Sequence, residues 1–514
     1  MLLFMLALFI SIAASLSSPP PTSSTCLTPV INTNTPIFTT DPFFASWTID
    51  PSRNRVFFAM NFSDSRLLYL ASQIGDGNVL RFGGGGGDEL TYGVPMSCDS
   101  PRPAFEYECL NRTTLDSLLA LSIAVSSRLV FALNIHPLGK PSPPIAAWDP
   151  TAARGVLRYI RDSGVTLEGI ELGNELNHHN FTASQQAEAF GVLFSLIEEL
   201  WPTSSQKPRL WGPDADGAGA TGSSSLSGLT HYLADFAGNM SAANIPLGVL
   251  THHEYIMMTS DTVLNATALD ASAFNAVAIV AAVRKVNENV PVWAGEIAPH
   301  IGSSNGNTTN TGNCSNNKLC GRFGSVIWYA DAMGAKSRAG VAGFARQDLV
   351  GASYALINTS LLGEPDTAVG DFTPSPDYYL LYLWQRLVGA RVLDVTIQGG
   401  GRSVRAYAFC TRGTNSSATL VLINIGASSV CVGIPSFVPS GMNLTVFSLT
   451  AGDSTQGIES WDIQLNGKIL SLQENGMLPD LRGANLSGAS VTLESTSVTI
   501  VVAPVGDGTL PACV

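Results

Sequence analysis

Short apolar runs alternate with longer amphipathic stretches over most of the chain, the patterning of repeated strand–helix units. Eight units follow one another, with strands expected at Phe44 to Asp50, Asn78 to Gly84, Arg128 to Ile135, Leu167 to Glu175, Arg209 to Asp214, Leu247 to Tyr255, Pro291 to Glu296 and Val341 to Gln347. Helix signals lie between them. Thr182 is a cap before the periodic run Ala187 to Leu200, and Ala271 to Val286 has an alanine-rich apolar face. Further helices are expected at Ser325 to Lys336 and at Asp377 to Val388, the latter opened by Pro374 and Pro376. Eight such units predict an α/β fold, a (β/α)8 TIM barrel. From about Ala390 the pattern changes to short β-rich segments (Ser403 to Cys410, Ala418 to Ile425, Leu444 to Leu449, Ser490 to Ala503) divided by Gly/Ser/Asn turns. This predicts an appended C-terminal β-sandwich domain. The expected bounds are 40–389 for the barrel and 390–514 for the sandwich, with residues 26–39 a candidate extra strand.

Composition agrees with two domains: 514 residues, 45% hydrophobic and 13% charged, suffice for a barrel of about 250 residues and more. Leu2 to Ile12 is apolar except for Ser11 and precedes small residues, so residues 1–18 are expected to be a signal peptide. No later stretch reaches the roughly 20 apolar residues of a membrane helix, and no transmembrane segment is expected. Asn-x-Ser/Thr triplets begin at Asn61, Asn111, Asn180, Asn239, Asn265, Asn307, Asn313, Asn358, Asn415, Asn443 and Asn485, which suggests N-glycans. The eight cysteines show no Cys-x-x-Cys zinc spacing, so a disulfide-bearing exterior is expected, with Cys98 to Cys109 and Cys314 to Cys320 as candidate local pairs. The destination is then secreted, extracellular or cell wall, with lysosome or vacuole as further possibilities. A net charge of −13 and a pI near 4.9 supply no basic face for nucleic acid or acidic lipid.

Barrel chemistry sits at the C-terminal ends of strands, so acids there are the first candidates. The fourth strand ends in IELGNELNHH, with Asn174 and Glu175 at the rim, and the seventh in PVWAGEIAPH, with Glu296 there. An Asn-Glu dipeptide alone more often caps a helix; the strand placement and the second glutamate favour a catalytic pair. Glycoside hydrolysis needs one carboxylic acid to protonate the leaving oxygen and one carboxylate to trap the oxocarbenium-like centre. On the sixth strand, THHEY places His253 and Tyr255 on one face and His252 and Glu254 on the other. Tyr255 is a candidate donor to the nucleophile. Adjacent strand histidines diverge and lack a third ligand, so no metal is expected. Arg81, in VLRFGG, is a candidate partner of Glu296, a structural ion pair being the alternative. Gly83 to Gly87 lacks the spacing of a phosphate loop and is expected to be a mobile loop at the barrel mouth.

Taken together and in order, LRFGG, LVFALN, IELGNELN, WGPD, THHEY, VWAGE, FARQDLVGASYALINTS, PSPDYYLLYLWQRLVGARVL and the closing ACV resemble the heparanase-like β-glucuronidases, glycoside hydrolase family 79. The plant-type members are the most similar. The resemblance implies a retaining mechanism without metal or cofactor, with Glu175 as acid/base and Glu296 as nucleophile. It implies that Asn174 binds the sugar 2-hydroxyl, that Gln347 and Tyr354 line the glucuronate subsite, and that amides around Gly302 and Ser303 bind the uronic carboxylate. It also implies a Cys410–Cys513 staple in the sandwich. Two departures stand out. Ile301, Gly302, Ser303 and Ser304 follow His300 where the family has a tyrosine and small residues, and the short segment between the second and third strands lacks the excised linker of animal heparanases, so a single-chain enzyme is expected. With 27 Lys and Arg against 40 Asp and Glu, heparan sulfate is disfavoured and a less charged glucuronoside, such as a glucuronate-capped arabinogalactan, is favoured. Lys140, Lys318, Arg322 and Arg346 are the candidates for a locally basic cleft. A glycosidase for neutral β-glycosides and a silent glycan-binding protein stay open as alternatives.

Overall fold

The computed structural model describes residues 26–51, 56–94, 109–135, 148–179, 181–203, 205–218, 225–256, 258–299, 319–352, 354–359, 372–399, 401–488, 490–506 and 508–514. Eight strands close into a parallel barrel: β1 (Ala45–Ile49), β2 (Val79–Phe82), β3 (Arg128–Leu133), β4 (Leu167–Leu172), β5 (Arg209–Ala218), β6 (Leu247–Ile256), β7 (Val292–Pro299) and β8 (Gly343–Arg346). These strands are buried on both faces, which is why they read as nearly unbroken apolar runs. The floor of the barrel is a layer of Val79, Val130, Trp211, Val249, Trp293 and Ala342. The two indoles meet with ring centroids 4.8 Å apart. They leave no room beside them: a Cβ on Gly169 would lie 2.1 Å from Trp211, and one on Gly343 2.0 Å from Trp293.

The outer ring is α1 (Ser65–Gln73), α2 (Arg112–Ala124), α3 (Thr151–Asp162), α4 (Ala183–Leu200), α5 (Leu226–Ala242), α6 (Ala266–Arg284), α7 (Phe323–Ala339) and α8 (Pro376–Leu387). Thr182 caps α4 in a reciprocal box with Gln185 and starts the helix four residues before the expected run. Asn265 does the same work for α6 by accepting from the Thr267 and Ala268 amides. Among the described helices α6 alone has the length and apolarity of a membrane span, and its Leu269, Ala276, Ile279 and Val283 pack into the barrel wall.

Two expected boundaries moved at the catalytic face. β4 stops at Leu172 because Gly173 (φ +78°) and Glu175 (φ +52°) turn the chain. β5 runs past Asp214 to Ala218, held by its parallel register with β6.

Beyond the barrel, Val388–Leu393, Val404–Thr411, Ser417–Asn424, Ser497–Pro504 and Leu444–Ala451 are the main strands of a nine-stranded sheet, with Phe38–Thr39 on one edge and the short Ile463–Leu465, Lys468–Ile469 and Ala484–Leu486 toward the other. One face carries Phe409, Val421, Ile423 and Ile500 against the barrel helices; the other carries Ala408, Leu420, Leu422 and Val501 under two ribbons, Thr28–Ile31 with Val395–Gln398 and Val430–Gly433 with Ser490–Leu493. This is the expected sandwich. The sheet also explains why α7 is buried on every side: Tyr407 lies where a Cβ on Gly334 would come within 2.2 Å, and Arg405 pairs with Asp331 on α7 and Asp270 on α6. Disulfides join Cys410 to Cys513, as the resemblance implied, and Cys26 to Cys431. Cys109 and Cys320 are also disulfide-bonded, while Cys98 and Cys314 lie outside the described residues.

Candidate active site

The eight strands aim a charged cluster into the catalytic end of the barrel, and Arg81 is its centre. Strand alternation points both Val79 and Arg81 inward, Val79 into the floor and Arg81 one layer above it. The guanidinium is 1% exposed and donates to Glu296 Oε2 (2.6 Å), Glu171 Oε2 (2.8 Å), Asp214 Oδ2 (3.0 Å) and Asn174 Oδ1 (3.3 Å). One cation therefore serves three buried carboxyls. Burial drives the Glu171 carboxyl well above its usual pKa, against the pull of Arg81, and the neighbouring Asp214 anion adds to the rise. Asp214 goes the other way: Arg81 and His253 outweigh its burial and hold it well below the carboxylate range.

Glu296, on β7, is 4% exposed. Its Oε1 accepts from the Tyr255 hydroxyl and its Oε2 from Arg81, a donor on each oxygen as a carboxylate anion requires. Glu175 stands in the turn after β4. Burial raises its pKa, with Asp216 and Glu296 adding to the rise, and the His253 contact lowers it in part. That contact runs from His253 Nδ1 to Glu175 Oε1 at 2.9 Å. His253 and Tyr255 share the inner face of β6. On the opposite face Glu254 pairs with Lys336 at 2.8 Å and accepts from Ser272 and Asn275. His252 is buried there too, and burial with the nearby Lys336 charge keeps it neutral.

The rim supplies further groups. Asn174 donates its amide to Asp88 Oδ2 at 2.7 Å, and burial pushes Asp88 up to about 7. Asp88 comes from the turn after the glycine run. That run, expected as a mobile loop, is bonded to the rim: Gly86 donates to Asp50 at 3.1 Å, and Gly84, at φ +116°, faces the Asp50 carboxyl where a Cβ would come within 2.5 Å. Gln347 follows β8, accepts from Thr48 and donates to Asp50 at 3.2 Å. Burial raises the Tyr354 hydroxyl well above its usual pKa, and the charges of Asp348, Glu296 and Asp50 add to this. Burial lifts Asp50 well above the carboxylate range, with Glu296 next, and lifts Asp348 to about 7.

Of the residues singled out in the sequence, Arg81, Asn174, Glu175, His253, Tyr255 and Glu296 thus meet in one cluster, with Gln347 and Tyr354 at its edge. Gly302 and Ser303 lie outside the described residues, as do Lys140 and Lys318. Arg322 turns away, donating to the Glu459 carbonyl and lying 4.2 Å from the centre of the Trp461 ring, and Arg346 is buried on Asp377 at 2.7 Å. Sequence reasoning missed Glu171, Asp214, Asp50, Asp88 and Asp348. Glu171 had a readable signal, a charge set between Ile170 and Leu172 in the buried half of β4.

The family profile described as glycosyl hydrolase family 79, N-terminal domain, matches residues 78–334. The hyaluronoglucuronidase of Hirudo nipponia is 30% identical over 432 residues, covering 79% of this chain and 78% of that one. The baicalin-beta-D-glucuronidase of Scutellaria baicalensis is 26% identical over 440 residues, covering 78% and 76%. Among solved structures, the GH51 arabinofuranosidase of Xanthomonas axonopodis pv. citri superposes with a TM-score of 0.64 at 14% identity, over 93% of this chain and 99% of that one, a likeness of fold. The chain belongs to glycosyl hydrolase family 79, the heparanase-like β-glucuronidases, and is a glycoside hydrolase.

Proposed function

We propose that the protein is a secreted, retaining β-glucuronidase in which Glu175 is the general acid/base and Glu296 the nucleophile. The observation that carries this reading is a spacing. One oxygen of Glu175 and one of Glu296 lie within 4.8 Å of each other and of a His253 nitrogen. Double displacement uses carboxyls about 5–5.5 Å apart, whereas inversion needs about 6.5–9.5 Å to admit a water.

In the first step Glu296 attacks the anomeric carbon while the proton of Glu175 passes to the glycosidic oxygen, releasing the alcohol. Water then attacks the glycosyl-enzyme, giving its proton to the Glu175 carboxylate and freeing Glu296. The unlike surroundings of the two acids support these roles: burial raises the pKa of Glu175, and Glu296 is met by Arg81 and Tyr255. Asn174, backed by Asp88, is assigned to the 2-hydroxyl, Gln347 and Tyr354 to the sugar rim, and amides around Gly302 and Ser303 to the carboxylate.

The substrate assigned is a β-glucuronoside of low charge, a glucuronate-capped arabinogalactan or a small glucuronide. Arg81, Arg322 and Arg346 are each engaged within the protein, which argues against a sulfated polyanion. The disulfides fit passage through the secretory route, and Asn61, Asn111, Asn265, Asn415, Asn443 and Asn485 are exposed for glycan attachment. Hydrolysis of aryl β-glucuronide, β-glucoside and β-galactoside at acidic pH tests the reading, together with a 2-fluoroglucuronide label. Expected are a preference for the glucuronide, a β-configured first product and label on Glu296; a neutral-sugar preference, an inverted product or label elsewhere overturns it.

A further inference from the structure

Glu175 and Asp214 share an uncommon backbone. Both are non-glycine residues in the left-handed region, at φ +52° and +54°, and the Glu175 amide donates to the Asp214 carbonyl at 2.8 Å. Such conformations cost of order 1–3 kcal/mol and persist where their surroundings hold them. Those surroundings are built for Asp214. Thr251 Oγ1 accepts its amide at 3.0 Å, and Gly295, beside the nucleophile, makes room for its carboxylate, since a Cβ there would sit 3.3 Å from Oδ1. One oxygen then grips Arg81 at 3.0 Å, and the other lies 3.4 Å from His253 Nε2, a nitrogen that Arg81 Nη2 also approaches at 3.5 Å.

We propose that Asp214 is a positioning residue for the acid/base: by placing its carboxylate 3.4 Å from His253 Nε2 it keeps the ring an imidazolium whose Nδ1–H is committed to Glu175 Oε1, so that the transferable proton resides on Oε2. The inference rests on the assignment of Glu175 as acid/base and deepens it. Without the Asp214 anion the ring is free to be neutral, and a neutral ring with a bare Nδ1 accepts a hydrogen bond from the Glu175 carboxyl and turns its proton away from substrate. The other charged groups facing the ring and Glu175 are Arg81 from β2, Glu296 from β7, and Asp216 and His178 at the rim, where His178 Nε2 is 3.3 Å from Asp216 Oδ2. Tyr255 and Glu171 act one contact further out, on Glu296 and Asp214. Burial of His253 opposes its charge; Glu296, Asp214 and Glu175 outweigh it, in agreement with an imidazolium.

The test is the pH profile of kcat/KM on a glucuronide with a poor leaving group. In the wild type the alkaline limb reports Glu175, held down by the adjacent imidazolium. In Asp214→Asn that limb moves up by about one pH unit or more as the cation is lost, with kcat/KM falling at least tenfold near the optimum. In a His253→Gln background the same change leaves the limb where it was, because the route through the ring is gone. A uniform loss with an unmoved limb, or a shift that survives in His253→Gln, overturns the proposal. Should Asp214→Asn fail to fold, the 15N shifts of His253 in the wild-type enzyme decide: both nitrogens protonated from pH 5 to 7 is expected, and a neutral ring overturns it. Glu175→Gln, which must abolish the alkaline limb, tests the acid/base assignment separately, and the 15N result stands whichever way that falls.

Discussion

Replacing Arg81 with methionine keeps an unbranched apolar stem as far as the Nε position and removes the guanidinium with its charge and donors. The residues it leaves behind set the magnitude. Burial already raises Glu171, so the groups that lose most are Glu296 and Asp214, both nearly inaccessible to water, with His253 at 3.4 Å left as the nearest partner of Asp214. In the wild type Asp214 has a depressed pKa, and the stability this confers is present above the unfolded value near 4 and lost as pH falls. In the variant the sign reverses: a buried carboxyl without its cation is raised above the unfolded value, so the folded state is penalised as pH climbs through that window. The penalty grows by about 1.36 kcal/mol per pH unit for each group, or about 2.7 kcal/mol at pH 6. Two groups give roughly 5 kcal/mol, the upper end of the 3–5 kcal/mol typical of a broken buried pair. Urea unfolding of both proteins from pH 4 to 7, followed by tryptophan fluorescence, reads the gap directly. It should widen by several kcal/mol between pH 4 and pH 6, on top of the wild-type stabilisation that is still present at pH 4 because the folded pKa of Asp214 lies well below it. A gap of equal size at pH 4 and pH 7 would refute the reasoning, since it would mean that Arg81 matters for packing and not for the charges around it.

Other changes probe separate links. Glu175→Gln should slow hydrolysis of an alkyl glucuronide by about 10²–10⁴-fold and spare the first step on a nitrophenyl glucuronide, which needs no protonation; equal losses on both, measured as kcat/KM, would count against its role. Tyr255→Phe removes a hydrogen bond to a charged group, about 1.5–3 kcal/mol, so kcat/KM should fall roughly 10- to 150-fold with the unfolding midpoint nearly unchanged. Gly169→Ala forces a methyl into the Trp211 indole and should cost about 1–3 kcal/mol in unfolding measurements; an unchanged stability would mean that the tryptophan floor is not close-packed. Thr182→Ala removes the acceptor of the α4 capping box and should cost about 1 kcal/mol by the same measurement.

How much of this was legible in the chain follows from where its patterns hold. The barrel strands were readable because a strand buried on both faces is apolar at most positions, and the sandwich strand Ser417–Asn424 obeys the same logic between two layers. The ends of β4 and β5 were not. NELNHH and DADGA are polar, and a polar segment reads as a loop whether it turns away, as after Leu172, or continues pairing, as β5 does with β6. The Cys26–Cys431 bond spans 405 residues and depends on the N-terminal strand folding back onto the sandwich, which no local spacing encodes.

The site itself shows a sharper division. Alternation alone separates His253 and Tyr255 from His252 and Glu254, but it cannot say which pair faces the substrate. Lys336 decides, because its ammonium emerges from α7 on the outer side of β6 and meets Glu254 there at 2.8 Å. The same holds for Glu171 and Asp50: a carboxyl on a strand or in a turn becomes part of a catalytic centre only when closure of the barrel brings Arg81 or Glu296 to it. Sequence therefore exposes the members that carry their own local oddity, an arginine inside VLRF or a glutamate after Gly295, and hides those whose function consists of what they touch. Asp214 is of the second kind: nothing in WGPD foretells that its two oxygens reach Arg81 and His253, yet that bridge links the cation on Glu296 to the ring beside Glu175.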